Sequence, residues 1–288
     1  MKDITIASSA MLVDLNIRGW TAKKQDREIS NEVTASKGAR TSNAGVYQKN
    51  LLAGSIELAD INKYATHIRQ WHAARTLPWA DSGTRLLPAA VFQDYMAEFG
   101  QHEIEYNNRV AALEAAYGQI VQAAQFTLGS MFKADDYPDI SEIKYKFGIR
   151  CAFYPLPEEG DFRVDIGQMG LDDLKDRFAK QQEERIASAV GDIKDRVKDI
   201  LGKIAHVLRV DADGSKGRIH DGTFESAIAL CDTIATFNLT NDPELTALRK
   251  EMKAMLSGMD TSDLRKDDTV RAYAREEVNA LMSKFNLI

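Results

Sequence analysis

Apolar residues recur at Ile186, Val190, Ile193, Val197, Ile200, Ile204 and Val207, spaced alternately by four and three. That alternation is the seam of a helix lying lengthwise against another helix. Lys194, Asp195, Arg196, Lys198, Asp199 and Lys203 between the seam positions read as its solvated side. The pattern predicts one helix over 171–208, about 57 Å long at roughly 1.5 Å per residue. A compact chain of this length is only about 50 Å across, so an elongated molecule is expected. A second seam runs through Tyr106, Val110, Leu113, Tyr117, Ile120, Ala124, Leu128 and Met131. It predicts a rod over 101–132, the natural antiparallel partner for 171–208.

The rest of the chain divides by period and by turn signals. Val13, Leu15 and Ile17 alternate with Asp14, Asn16 and Arg18, the period of a half-buried strand over 12–18. Residues 26–36 suit a short polar helix, and the small, basic stretch 36–45 reads as a loop. A helix over 56–75 carries Ile61, Tyr64, Ile68 and Trp71 on one stripe and ends at Pro78 and Asp81-Ser82-Gly83. Pro88 opens a helix over 89–99, with Gly100 as a bend before the next rod. Ile149, Cys151 and Phe153, then Phe162, Val164 and Ile166, alternate on either side of the turn 155–160, which predicts a β-hairpin. An isolated hairpin is marginal in water, so 12–18 is expected to join it as a third strand. After the turn 211–217, helices are predicted over 222–237, 242–257 and 267–285.

The predicted fold is therefore mainly α with a small antiparallel β-sheet (α+β). A long antiparallel helical hairpin is capped by the β-hairpin, and a C-terminal helical group follows. Residues 1–209 form the elongated domain with its three-stranded sheet, and 210–288 form a helical region packed on it.

Composition narrows the chemistry. Apolar residues make up 44% and charged residues 28%, the balance of an ordinary soluble protein. The two cysteines, Cys151 and Cys231, are too few for a disulfide framework and read as small core residues. No signal-peptide pattern opens the chain, and the longest uncharged run, 115–132, is interrupted by glutamines. No membrane span and a reducing, cytoplasmic location follow as expectations. The histidines lack zinc-ligand spacing, and Asp211/Asp213/Ser215 fails as a calcium loop at Lys216 and Gly222. Asp135, Asp136, Asp139 and Glu142 read as a solvated cluster with Asp139 starting a short helix. No phosphate-cradling loop or nucleophile signature occurs, so no cofactor, metal or catalytic residue is assigned and an enzyme is not expected.

The charge is unevenly placed. Residues 18–49 hold seven basic residues against Asp26, Glu28 and Glu32, a net of +4, which leaves −10 for the rest of a chain totalling −6. Lysines and arginines interleaved with aromatics grip single-stranded nucleic acid without reading its sequence. Arg18, Trp20, Lys23, Lys24, Lys37, Arg40, Tyr47 and Lys49 form that candidate set.

Met11 to Trp20, Thr76-Leu-Pro-Trp-Ala-Asp81 with Arg85-Leu-Leu-Pro88, Tyr154-Pro-Leu-Pro157 with Gly160 to Asp165, and Asn241 to Leu245 are spread over most of the chain. In these stretches the sequence resembles a bacteriophage family of unknown function about 300 residues long. The resemblance implies a phage or prophage protein acting in the host cytoplasm, sometimes encoded near a MoxR-type AAA+ ATPase. It supplies no catalytic residues. The expected function is a non-enzymatic interaction or assembly protein working through long helical surfaces, by self-association into a homo-oligomer or by partnering such an ATPase or another phage or host protein. Single-stranded nucleic-acid binding through 18–49 is the alternative.

Overall fold

The computed structural model describes residues 6–41, 44–157, 168–211 and 214–287. In chain order the elements are α1 (Ile6–Ser9), β1 (Ala10–Arg18), β2 (Lys23–Asp26), α2 (Arg27–Ser36), β3 (Tyr47–Asn50), α3 (Ile56–Arg75), β4 (Leu77–Pro78), β5 (Arg85–Pro88) and α4 (Phe92–Leu128). Then follow α5 (Ile140–Ile143), β6 (Gly148–Pro155), α6 (Gln168–Val207), α7 (Asp221–Phe237), α8 (Pro243–Ser257), α9 (Thr261–Lys266) and α10 (Asp268–Lys284). The fold is α+β and mainly α, with a four-stranded sheet in the order β4-β5-β1-β6 and a β2-β3 hairpin. β1 pairs antiparallel with β5, placing Leu12 opposite Leu86 and Val13 opposite Arg85.

The chain divides into two compact units, and the division is not sequential. One comprises Met1–Asp14, Ala73–Asp94 and Phe153–Ile288; the other comprises Leu15–His72 and Tyr95–Ala152. A boundary at 209 does not separate them. Leu208 and Ile219 lie in the same hydrophobic core as the C-terminal helices, so cutting there would split that core.

In the first unit, α6 buries Ala189, Ile193, Val197 and Leu201, then Ile204, with Leu208 just past its end. Ile186, Val190, Ile200 and Val207 flank this line half-buried. The apolar face is thus wider than a coiled-coil seam, as a helix with neighbours on both sides requires. Those neighbours are α7, α10 and β4. α7 contributes Phe224, Ala227, Cys231 and Ile234 to the shared core, α8 Leu245, Leu248 and Met252, and α10 Ala274 and Val278. Asp242 caps α8, with Pro243 in its first turn, and Asp260 and Asp267 cap α9 and α10.

The second unit is built on α3 and α4. α4 buries Tyr106, Val110, Leu113 and Tyr117 against Leu58, Ile61, Ala65 and Ile68 of α3. The pair runs antiparallel: Asp60 meets Arg109, Tyr64 meets His102, and Trp71 meets Glu98. The predicted pairing of rods 101–132 and 171–208 is therefore corrected. Both rods are real, and α4 passes through Gly100 as one helix, but their apolar faces belong to separate cores. Spacing specifies a stripe on one helix, not the helix that covers it.

β6 matches the first strand of the predicted hairpin, and β1 lies beside it as the expected third strand. The second strand, 162–166, falls outside the described residues.

Candidate functional site

The eight residues of the basic segment do not form one open surface. Lys49 is buried, with Nζ against Asp26 at 3.5 Å, in an ion pair with Asp136, and donating to the Met131 carbonyl at 2.9 Å. Lys24 pairs with Asp136 at 2.8 Å, and Lys133 with Glu28 at 2.8 Å. The Ile29 amide first, then Lys49, holds the Asp26 carboxyl below the usual carboxylate range. Partial burial opposes ionisation of Asp136, but Lys24 and Lys49 together bring its carboxyl below that range as well. Arg18 donates to the Phe147 carbonyl at 3.1 Å, and Trp20 packs near Tyr117 within the core. The Tyr47 hydroxyl reaches the Met131 sulfur at 3.5 Å. Lys23, Lys37 and Arg40 remain exposed.

The two charged features that the sequence offers separately, the basic 18–49 segment and the acidic 135–142 cluster, thus meet at Asp136, which pairs with both Lys24 and Lys49. Lys49 is part of the β2-β3 hairpin's structure rather than a phosphate ligand. Replacing it with methionine is expected to lower the unfolding temperature by several degrees, because Asp26 and Asp136 are left facing one another without their shared cation. Scanning calorimetry of Lys49→Met checks this, and an unchanged transition would contradict it.

The α3–α4 pair also carries a ring cluster. The Tyr64 hydroxyl lies 2.9 Å from His102 Nδ1, the His67 and His102 rings are 5.5 Å apart, and Trp71 packs edge-on to His102. Glu98 accepts from Trp71 Nε1 at 2.5 Å, and Arg109 lies over the Tyr64 ring at 3.9 Å. Burial first, then His67, holds the His102 imidazole below the ordinary histidine range, with Glu98 opposing. His102 is therefore neutral in the folded protein where an unfolded histidine, titrating near about 6.5, takes up a proton. Its contribution to stability is expected to be complete above about pH 6.5, the unfolded value, and to be lost progressively as the pH falls below it. Thermal melts across that range check this, and His102→Gln should flatten the profile.

His72 is the buried histidine, 2.8 Å from the Tyr95 hydroxyl, which in turn lies 3.4 Å from Cys151 Sγ. Burial pushes the Cys151 thiol up to about 11 and raises Cys231 too, so both are poor nucleophiles. Among the described residues no group of three or more His, Cys, Asp or Glu side chains could hold a metal ion. Asp139 caps α5 as expected, its carboxylate accepting from the Ser141 amide at 2.8 Å.

A groove of about 630 Å³ in the first unit is lined by Arg85, Asp192, Arg196, Asp199 and Lys203 among others. Its two arginines are already engaged. Arg196 donates to the carbonyls of Ala73, Ala74 and Thr76 at 2.7–2.9 Å, and Arg85 to the Thr76 carbonyl at 3.0 Å. They satisfy the carbonyls left open where α3 ends.

The outward side of α4 differs from every other surface described so far. Opposite its buried line, Ile104, Asn108, Ala111, Ala115, Gly118, Gln122 and Phe126 are all exposed and lie on one face. Ile104 is 55% and Phe126 89% exposed. The steps are four, three, four, three, four and four, a second helix-contact spacing on the same helix. None of the seven is charged, in a chain with 28% charged residues. Ala, Gly, Asn and Gln do not register as apolar in a spacing pattern, so in the sequence this stripe shows only as the uncharged run 115–132. No protein-family model, no curated protein and no solved structure matches the chain.

Proposed function

We propose that this is a non-enzymatic interaction protein that self-associates through the outward face of α4. The uncharged stripe from Ile104 to Phe126 carries the reading. Its occupant is a second copy of the same chain, because the stripe is complementary to itself. An antiparallel pair with its two-fold axis at Ala115 sets Ile104 opposite Phe126 and Asn108 opposite Gln122. Ala111 and Ala115 then form a small-residue centre that lets two helix axes approach to about 8 Å. An isologous contact of this kind closes as a dimer. A phage or prophage assembly process is the setting proposed, on the resemblance of Thr76 to Pro88, Tyr154 to Asp165 and Asn241 to Leu245, with an AAA+ ATPase as a further partner.

Light scattering on the eluting protein tests the reading. The wild type is expected at twice the 32.1 kDa chain mass at micromolar concentration. Ala115→Glu places two carboxylates across the axis and should give the single-chain mass while keeping the wild-type helical circular-dichroism spectrum, since Ala115 is exposed. A wild type that stays at one chain mass overturns the proposal, as does an Ala115→Glu variant that still dimerises.

A further inference from the structure

We infer that a cavity at the start of α7 binds a phosphate monoester dianion. The cavity, about 510 Å³ and open to solvent, is lined by residues 217–221 together with Arg265 and Arg271. Three guanidiniums therefore face one carboxylate, in a chain whose net charge is −6. That carboxylate is already held. Asp221 accepts from Thr261 Oγ1 at 2.7 Å and from Arg265 Nη2 at 2.5 Å. The positive charges of Arg218 and Arg271 are left over.

Arg271 is the stronger observation. It is 3% exposed, and the described residues place no carboxylate in an ion pair with it. Its Nε donates to the Leu208 carbonyl, and its Nη2 to the carbonyls of Val207 and Gly217. Those bonds close the end of α6 and account for two of its three nitrogens. Nη1 has no protein partner among the described residues. The nearby carboxylates are engaged elsewhere: Asp268 pairs with Lys216, while Asp260 and Asp267 cap α9 and α10. A buried cation without a counter-charge is unfavourable, and an anion in the cavity it lines removes that penalty.

Two further features favour an oxyanion. Arg218 is exposed at the rim and makes no hydrogen bond or ion pair with the described residues. The N-cap of α7, His220, makes no side-chain bond to the first-turn amides, so the positive end of a 17-residue helix opens on the same space. A phosphate monoester offers three free oxygens and close to two negative charges, which two guanidiniums and a helix end can share.

The test uses the full chain and inorganic phosphate, titrated at constant ionic strength against chloride, with binding read by calorimetry and by melting temperature. Saturable binding that raises the melting temperature is expected. Arg218→Gln should weaken it roughly tenfold, the loss of about one charged hydrogen bond, without changing the melting temperature in chloride. His220→Asn provides a second variant away from the buried arginine. Absence of a saturable phosphate response, or one unaltered in both variants, overturns the inference. An oligonucleotide lacking a terminal phosphate should not displace the bound phosphate; displacement would assign the site to a diester backbone and overturn the monoester reading.

Discussion

Replacing Arg271 with methionine is expected to lower the unfolding free energy of the first unit by about 3 kcal/mol or more. Arg271 reaches three carbonyls, those of Val207 and Leu208 where α6 ends and that of Gly217 in the loop beyond. The last carbonyls of a helix have no partner within it. Here Arg271, itself 3% exposed, is the side chain that satisfies them. Methionine keeps the apolar stem but ends about where Nε stands and provides no donor, so the loss combines the unsatisfied carbonyls with the space the guanidinium leaves. For a unit of this size the drop corresponds to roughly 6–12 °C in melting temperature. Arg271→Lys should recover only part, because one ammonium cannot reach three acceptors fixed around a planar fork. Calorimetry of the two variants checks this, and a methionine variant as stable as wild type would mean that the carbonyls find other partners.

Gly217→Ala is expected to be nearly as damaging, by about 3 kcal/mol. A Cβ at Gly217 would lie 2.6 Å from the Val207 carbonyl oxygen and 2.7 Å from Val207 Cα. Both are backbone atoms of the last residue of α6, so no flexible side chain can turn aside. The loop would have to retreat, taking with it the Gly217 carbonyl that Arg271 holds. The two substitutions therefore act on one contact. The double variant should lose less than the sum of the single losses. Denaturant melts of all three variants measure the coupling, and strict additivity would contradict the shared contact.

These two residues also show where sequence reading stops. An arginine on a helix that also carries Asp268 and Arg275 reads as solvated, and nothing local marks Gly217 as more than a turn glycine. Arg271 gains its role from a helix end 63 positions away in sequence, and Gly217 from its closeness to Val207 across the intervening loop. By contrast, the helices around them were legible. Asp242-Pro243 and the apolar spacing place α8 within a residue, and the stripe on 56–75 places α3 without error. The β2-β3 hairpin was not legible, since Lys-Lys-Gln-Asp and Tyr-Gln-Lys-Asn carry no alternation. Its order depends on Lys49 meeting Asp26 and Asp136, residues distant from one another in sequence.

The candidate surface was legible in part. An uncharged 18-residue run within a charged chain was plain, but the run alone says only that the helix is soluble and amphipathic. What gives it meaning is which side is buried. Once Tyr106, Val110, Leu113, Tyr117, Ala124 and Leu128 are assigned to the core, the opposite stripe is left open to water with Phe126 standing clear of the surface. The basic segment shows the converse. Its composition is basic and aromatic, yet composition cannot tell a lysine in water from one, like Lys49, buried between two carboxylates.

A cysteine at the dyad gives the most direct measurement. If two chains meet antiparallel about position 115, mild oxidation of Ala115→Cys should yield a covalent dimer of twice 32.1 kDa in high yield, while Lys63→Cys, exposed on α3, should yield little. Equal yields at the two positions, or no dimer at position 115, would contradict α4 as the joining face.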